Sequence, residues 1–311
     1  MRKGVKRTIY VLLILAVIFT AVAWQLLPGM ILQPYRLRAD EHAIDFPNGI
    51  YPEDYNYCSE EFDVLTADSI VLDGYFLHSN TEPAMATVIM LPGIGSCKET
   101  FLQRAGSFIE NNCNVILVDL RAQGQSGGSI CTYGFLERYD ISAVAARAYA
   151  QDPETPVGVL GVSLGGAIAY QTMGLDSTIM FGIIESTFDE MRNVVREYTA
   201  RFAGFRANLI ADFAIWRAES IARIEAEEVS PWRSASQIKA PVFVSHGDAD
   251  HHIPLAFGWH NFQALTNPGS IFNTVHDAGH NDLLYHAGAD YNQRLLSFIK
   301  ESVEESGHKL E

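Results

Sequence analysis

The sequence lacks the short motifs that mark many cofactor-dependent and zinc-dependent proteins. It contains no Gly-x-Gly-x-x-Gly loop for a dinucleotide, no Cys-x-x-Cys pair and no His-Glu-x-x-His pair. Positive charge is also scarce, because 22 lysines and arginines face 37 acidic residues and leave a net charge of −15. These absences predict a protein without an organic cofactor or a metal. They also disfavour nucleic acid as a partner, since phosphate backbones are bound by clustered cations.

Cysteine is rare as well, with four residues in a chain of 311. An even number permits disulfides in an oxidising compartment, and four cysteines allow three pairings. Four unpaired thiols are the alternative, and the sequence does not choose between them. The residues are Cys58, Cys97, Cys113 and Cys131.

One long apolar run opens the chain. Residues 8–27 carry no charged side chain and are about long enough to cross a bilayer. The basic residues before this run are Arg2, Lys3, Lys6 and Arg7. By the positive-inside rule the basic end stays in the cytoplasm, so the rest of the chain lies outside it. The run continues past the small residues 21–23 through Trp24, which favours an uncleaved anchor over a cleaved signal peptide, the alternative.

A serine in a glycine-rich turn is the most informative feature. Ser163 lies within Gly161-Val162-Ser163-Leu164-Gly165-Gly166, after the apolar run 157–160 and before the helical pattern of 167–171. Such a strand–turn–helix segment holds a hydroxyl out of the sheet and aims backbone N–H groups toward developing negative charge. A serine hydroxyl is a weak nucleophile, so a base and an oxyanion site must come from elsewhere in the chain.

An acid and a histidine follow two later strand patterns. Asp250 comes shortly after the apolar segment 240–247, and His280 comes shortly after the segment 270–275. Open α/β sheets place their sites at the carboxyl ends of the strands, so we expect both side chains near Ser163.

Other polar residues at this edge have competing interpretations. Asp248 is an alternative acid, His276 is an alternative base, and His246 is interpreted as closing the turn after its strand. A metal site is a further alternative, although adjacent histidines on a loop seldom point both rings inward. Its ligands would be drawn from Asp248, Asp250, His251, His252 and His276.

These ordered motifs resemble those of the α/β-hydrolase superfamily. They are similar to single-domain serine hydrolases that carry His-Gly-x-x-Asp-x-x-Val/Ile-Pro and a late Gly-His-Asn-Asp, here at residues 246–254 and 279–282. The resemblance covers roughly residues 62–301. It implies catalytic roles for Ser163 as nucleophile, Asp250 as acid and His280 as base.

The resemblance also implies an oxyanion hole made of two backbone N–H groups. The loop after the apolar strand 87–91 would supply the N–H of Ile94, and the nucleophile turn would supply that of Leu164. This loop reads Pro92-Gly93 where the family commonly has His-Gly, and a backbone donor does not depend on that side chain. An ordinary strand-to-helix turn is the alternative. A stretch similar to a structural loop of the family contains Asp119, Arg121 and Ser126, which are interpreted as a hydrogen-bonded scaffold.

Strand and helix patterns alternate from residue 87 onward, which predicts an α/β fold with a mainly parallel sheet and helices on both faces. Period-two alternation in 61–66 and 70–77 predicts antiparallel strands before it. The segment 187–239 is longer than a crossover helix needs and mixes large apolar residues with arginines. It is interpreted as a small helical cap over the site or, alternatively, as amphipathic helices packed on the sheet.

The predicted organisation is an anchor or signal segment at 1–30, a linker at 31–60 and an α/β-hydrolase domain at 61–306, with the cap at 187–239. The expected activity is hydrolysis of a carboxylic ester, a thioester or an amide through an acyl-enzyme. Acyl transfer by the same triad and an inactive binding module are the alternatives. The expected partners are a small or lipid-like acyl substrate and a membrane.

Overall fold

The computed structural model describes residues 3–305 and residue 307, and ten α-helices, four short 3-10 helices and ten strands lie in this part of the chain. The helices are α1 (Lys3–Leu32), α2 (Leu102–Ile109), α3 (Glu137–Gln151), α4 (Leu164–Leu175), α5 (Met191–Ala203), α6 (Asn208–Ala222), α7 (Pro231–Ala235), α8 (Leu255–Ala264), α9 (Leu283–His286) and α10 (Tyr291–Glu305). The strands are β1 (Ser59–Glu61), β2 (Val64–Leu65), β3 (Val71–Leu72), β4 (Gly74–Leu77), β5 (Ala86–Leu91), β6 (Cys113–Val118), β7 (Val157–Val162), β8 (Gly182–Glu185), β9 (Val242–Gly247) and β10 (Ile271–Val275).

Eight of the strands form one sheet in the order β1-β4-β6-β5-β7-β8-β9-β10. The strands from β5 to β10 run parallel, whereas β4 pairs antiparallel with β6, and β1 antiparallel with β4. Strands β2 and β3 form a separate antiparallel pair. The predicted α/β fold, with a mainly parallel sheet and antiparallel strands before it, is confirmed.

Helices cover both faces of the sheet. One apolar cluster packs α2 and α10 against the sheet, and a second packs α3 and α4 against the other face. The strand β5, Ala86-Thr87-Val88-Ile89-Met90-Leu91, is buried along its whole length. A strand covered on both faces needs apolar side chains on both, which explains the unbroken apolar runs.

The boundaries of the amino-terminal part differ from the predicted ones. Strand β1 begins at Ser59, inside the segment 31–60 that the sequence predicts to be a linker. Ile31 and Leu32 are buried in the core of the domain, and the Leu32 carbonyl accepts a hydrogen bond from the Cys131 N–H at 2.8 Å. Thus the chain packs onto the domain as soon as α1 ends. Arg2 and the predicted domain end at residue 306 lie outside the described residues.

Helix α1 contains a stretch, Arg7–Leu32, that is long and apolar enough to cross a membrane, by length and composition. A signal sequence has the same properties. Large apolar side chains such as Leu12 and Ile14 stand exposed on this helix.

All four cysteines are free thiols. Cys97, Cys113 and Cys131 are buried, and Cys58 is exposed. Burial raises the pKa of Cys113 to about 12, so this thiol has little thiolate at neutral pH and little reactivity.

Candidate active site

The glycine-rich turn places Ser163 between the end of β7 and the first residue of α4. Its backbone has φ 55° and ψ −114°, a conformation that L-residues rarely adopt. Two hydrogen bonds hold it there: the Ser163 N–H donates to the Glu185 carbonyl at 2.8 Å, and the Thr187 hydroxyl donates to the Ser163 carbonyl at 2.7 Å. Backbone strain of this kind persists only where the surroundings enforce it, and it is concentrated at functional sites.

A glycine makes the turn possible. A side chain at Gly165 would overlap the carbonyl oxygens of Leu91 and Pro92. The missing Cβ therefore lets the start of α4 lie directly against the end of β5. The loop after β5 approaches just as closely, because a Cβ built at Gly93 would lie 3.5 Å from the Cβ of Ser163.

The structure brings Ser163, His280 and Asp250 together in one hydrogen-bonded row. His280 Nε2 lies 3.0 Å from the Ser163 hydroxyl oxygen, and His280 Nδ1 lies 2.8 Å from Asp250 Oδ2. A carboxylate only accepts hydrogen bonds, so Nδ1 carries the proton and Nε2 accepts from the hydroxyl. The loops after β9 and β10 supply the acid and the histidine at the carboxyl edge of the sheet, where parallel strands end.

Asp250 is held as a carboxylate. Burial alone would raise its pKa, but the His246 ring at 3.6 Å and the hydrogen bond from His280 outweigh that effect and hold the pKa of Asp250 far below its usual value. The backbone N–H groups of His252 and Ile253 also donate to Asp250 Oδ1, at 2.8 and 2.9 Å. A negative charge fixed beside His280 stabilises the protonated imidazole.

The alternative acid and the alternative base pair with each other instead of joining this row. Asp248 accepts hydrogen bonds from the His276 ring at 2.8 Å and from the Asp277 N–H at 2.8 Å, and His276 is exposed. His246 is buried and donates from Nε2 to the Ile253 carbonyl at 2.9 Å. Across residues 3–305 and residue 307, no group of three or more His, Cys, Asp or Glu side chains is arranged to hold a metal ion.

The two residues expected to form the oxyanion hole flank the nucleophile. Leu164 is the first residue of α4, so its N–H has no partner within the helix. Ile94 lies on the loop beside Gly93 and lines the cavity in front of Ser163. Among the hydrogen bonds of the described residues, neither N–H has an acceptor. Both are therefore available to an oxygen atom bound at Ser163.

A cavity of about 510 Å³ opens in front of the nucleophile. Its walls come from the loop after β5, from α2, from α5 and from the loop before α9. The residues that line it include Ser163, His280, Ile94, Arg104, Tyr198 and His252. The cavity is large enough for a small organic molecule.

A buried ion pair at the cavity wall was not predicted from the sequence. Arg104 on α2 forms two hydrogen bonds to Glu185 at the end of β8, at 2.6 and 2.8 Å. The Tyr291 hydroxyl donates to the same carboxylate at 2.7 Å. In the sequence, this pair is indicated by the acidic residue at the end of the apolar strand Gly182-Ile183-Ile184-Glu185. That signal does not identify its partner, which lies 81 positions earlier.

The predicted cap segment 187–239 divides into two parts. Helix α5 contributes Tyr198 to the cavity wall, and Arg201 on the same helix lies 2.5 Å from the His252 ring. The short helix α7 instead packs on α4, at the face of the sheet. Helices α5 and α6 are called the cap helices below.

The predicted scaffold residues form hydrogen bonds with each other and with nearby residues. Asp119 accepts from the Lys98 N–H at 2.7 Å and from the Gln125 N–H at 2.8 Å. The Ser126 hydroxyl donates to the Asp119 carbonyl at 2.7 Å. Arg121 pairs with Asp140 at 2.6 Å. Asp119, Arg121 and Ser126 lie in the loop that follows β6, whereas Asp140 lies on α3.

Comparison with known proteins finds similar sequences and folds. A family model described as serine aminopeptidase, S33, matches residues 82–230, a range that contains Ser163 but ends before Asp250 and His280. The chain is 25% identical over 217 residues to the uncharacterized protein YqkD of Bacillus subtilis, covering 68% of this chain and 70% of that one. It is 22% identical over 260 residues to protein bem46 of Schizosaccharomyces pombe, covering 81% of this chain and 80% of that one.

Among solved structures, the chain is similar to the esterase Pf2001 of Pyrococcus furiosus. The TM-score is 0.70 with 21% identity, over 87% of this chain and 98% of the esterase. At this identity the likeness establishes the fold. The sheet order and the turn at Ser163 agree with this fold, and the family match over residues 82–230 supports hydrolase activity in general. The chain has the α/β-hydrolase fold.

Proposed function

We propose that the protein is a serine hydrolase that cleaves carboxylic esters or thioesters through an acyl-enzyme. The observation that carries the proposal is the row of hydrogen bonds from Ser163 through His280 to Asp250, at 3.0 and 2.8 Å. The row ends at a cavity of about 510 Å³, beside two N–H groups that have no acceptor among the described residues. These parts are what acyl transfer from a carbonyl requires.

Each of these residues takes part in a defined step of the proposed reaction. His280 Nε2 removes the proton from the Ser163 hydroxyl as its oxygen attacks the acyl carbonyl, and the N–H groups of Ile94 and Leu164 stabilise the oxyanion. His280 then gives the proton to the leaving alcohol or thiol. Water then attacks the acyl-enzyme while His280 takes a proton from it, and His280 returns this proton to the Ser163 oxygen as the acid leaves. Asp250 keeps the proton on Nδ1 and stabilises the imidazolium.

The direct test is covalent labelling of the full-length protein with a fluorophosphonate probe. We expect labelling of the wild type and its loss in Ser163→Ala and His280→Ala. The same substitutions are expected to lower kcat for an ester by a factor on the order of 10⁶, as removal of a triad serine or histidine does. Ser142→Ala is the matched control, because Ser142 lies on α3 and bonds to Asp176. A folded wild type that takes up no probe would contradict the proposal.

Amide cleavage is a second candidate, favoured by the description of the matching family model as a serine aminopeptidase. The likeness to the Pyrococcus esterase favours esters. Comparing kcat/KM for p-nitrophenyl esters, thioesters and p-nitroanilides with the same acyl group separates the two. A ratio that favours the anilide would replace the ester proposal.

We further propose that α1 anchors the protein in a membrane with the catalytic domain outside the cytoplasm. The proposal is supported by the apolar stretch Arg7–Leu32 and by the basic residues that precede the apolar run. Release after signal cleavage is the alternative. The mass of the mature protein distinguishes an intact chain from one that begins near Trp24.

A further inference from the structure

The last part of α1 packs against a cap helix. The Trp24 ring lies 5.7 Å from the Trp216 ring and 6.0 Å from the Phe213 ring of α6, measured between centroids. The Arg217 guanidinium stacks over Trp24 at 4.5 Å. The helix that is able to cross a membrane therefore leaves the domain alongside the cap.

The length of α1 fixes where a bilayer would meet the domain. Residues 27–32 turn into the domain, since Pro28, Ile31 and Leu32 are buried and the preceding apolar residues are largely exposed. The stretch from Arg7 to Leu26 rises about 30 Å at about 1.5 Å per residue, which is the thickness of the hydrocarbon layer. Trp24 and the adjacent Trp216 then lie at the membrane interface, where tryptophan is enriched.

The cap helices expose large apolar side chains next to this position. Phe202 is 85% exposed, Leu209 is 87% exposed and Phe205 between them is 65% exposed. Residues 191–223 also carry six arginines against three carboxylates, in a chain whose net charge is −15. Exposed aromatic residues interleaved with cations are typical of segments that lie in a membrane interface, where anionic headgroups attract them.

The same surface leads to the cavity. Tyr198 lines the cavity, and Phe202 follows it by one turn on the same face of α5. An acyl chain that leaves the bilayer beside Phe202 therefore meets Tyr198 next, and Ser163 lies in the cavity beyond it.

We propose that the outer surface of the cap helices and of the loop between them, formed by Phe202, Phe205, Leu209 and Trp216, lies in the membrane interface and delivers bilayer-embedded acyl substrates to Ser163. The occupant of this surface is lipid, because the surface continues the exposed apolar face of α1 and carries positive charge. The choice of substrate rests on the proposed hydrolase function, whereas the membrane contact does not.

The test uses the full-length chain in vesicles of phosphatidylcholine and phosphatidylglycerol, with and without bromine on the upper part of the acyl chains. The protein has four tryptophans, so single-tryptophan variants are made by changing the other three to Phe. We expect bromine to quench Trp24 and Trp216. Trp259 on α8 is the matched control, because it is 46% exposed against 53% for Trp216 and is expected to escape quenching.

Each other result overturns the proposal. Quenching of Trp24 without quenching of Trp216 would mean that α1 spans the bilayer and the cap stands away from it. An unquenched Trp24 would mean that α1 does not enter the bilayer. If Trp216 escapes quenching by bromine only at high protein density, a second copy of the chain covers the surface.

A second arm measures delivery. Phe202→Glu combined with Leu209→Glu is expected to lower the rate on an acyl ester embedded in vesicles and to leave the rate on a monomeric short-chain ester unchanged. The control is Leu65→Glu, an exposed apolar residue on β2. Equal loss on both substrates would overturn the delivery role. Fluorophosphonate labelling of the same samples reports separately whether Ser163 is active, so failure of the hydrolase proposal is distinguished from failure of the membrane contact.

Discussion

Asp250 and Asp248 stand two residues apart, and only Asp250 reaches His280. Asp250→Asn presents an amide to Nδ1 and favours the wrong tautomer of the ring. We expect kcat/KM to fall by a factor of about 10⁴, as in triads that lose this carboxylate. Asp248→Asn is the matched control and is expected to retain activity, because Asp248 bonds to His276 and the Asp277 N–H. Ester hydrolysis by the two variants checks this, and a larger loss in the Asp248 variant would exchange the two assignments.

The same carboxylate links stability to pH. Its pKa is depressed below the ordinary value of 3.8 in the folded protein, so the unfolded chain binds more protons in the acidic range. The contribution of Asp250 to the free energy of unfolding is therefore fully present above pH 3.8, and it is lost as the pH falls toward the pKa of Asp250 in the folded protein. Urea unfolding of Asp250→Asn should show a shallower loss of stability on acidification than the wild type. Parallel curves would contradict this.

Arg104 and Glu185 offer a separate prediction at the residue scale. Arg104→Met would leave the Glu185 carboxylate buried with only the Tyr291 hydroxyl as a side-chain partner. Breaking a buried pair in this way costs about 3–5 kcal/mol of unfolding free energy. Adding Glu185→Gln removes the stranded charge, so the double variant should be more stable than Arg104→Met alone. Urea denaturation measures both, and a double variant that is no more stable would show that the charge is not the cause.

At the scale of elements, the contact between α4 and β5 depends on Gly165. Gly165→Ala would press a methyl group into the carbonyl oxygens of Leu91 and Pro92 and push the start of α4 away. We expect a loss of about 1–3 kcal/mol of stability, as for other overpacked sites, together with weaker labelling of Ser163. Gly106→Ala on α2 is the control, because its methyl group would meet only the far end of the Tyr57 side chain. Thermal unfolding of both variants checks this, and equal losses would contradict it.

The elements themselves were largely predictable from the sequence. The buried strands read as unbroken apolar runs followed by turns, and β5, β7 and β9 lie where those runs are. The row of Ser163, His280 and Asp250 was predictable because Ser163 directly follows β7, and Asp250 and His280 lie within a few residues of the ends of β9 and β10. The position of β1 was not, because Ser59-Glu60-Glu61 is polar and forms a strand only by pairing with β4.

Contacts between distant elements could not be predicted from periodicity. Arg104 reads as an ordinary surface arginine on a helix, and its burial depends on how α2 packs beside β8. The contact of Trp24 with Trp216 likewise joins helices that lie far apart in the chain. A local pattern identifies a face of a helix, whereas the partner of that face follows from the tertiary structure.

At the scale of the whole molecule, the charge distribution supports the proposed orientation of α1 in a membrane. Acidic residues dominate the chain, but the residues before the apolar run are basic and no acid lies among the first 39. Basic ends of this kind are usually retained in the cytoplasm. In the proposed orientation the domain lies in an oxidising environment, where Cys58 is accessible and Cys97, Cys113 and Cys131 are protected by burial.

This orientation is testable with a reporter that becomes active only where disulfides form. Alkaline phosphatase fused after Glu311 is expected to be active in a bacterial host, because the proposed orientation places the domain outside the cytoplasm. Changing Arg2, Lys3, Lys6 and Arg7 together to Glu should lower that activity, since positive charge at the amino terminus sets the orientation. A green fluorescent protein fusion at the same site is the control, and bright fluorescence with an inactive phosphatase would place the domain in the cytoplasm.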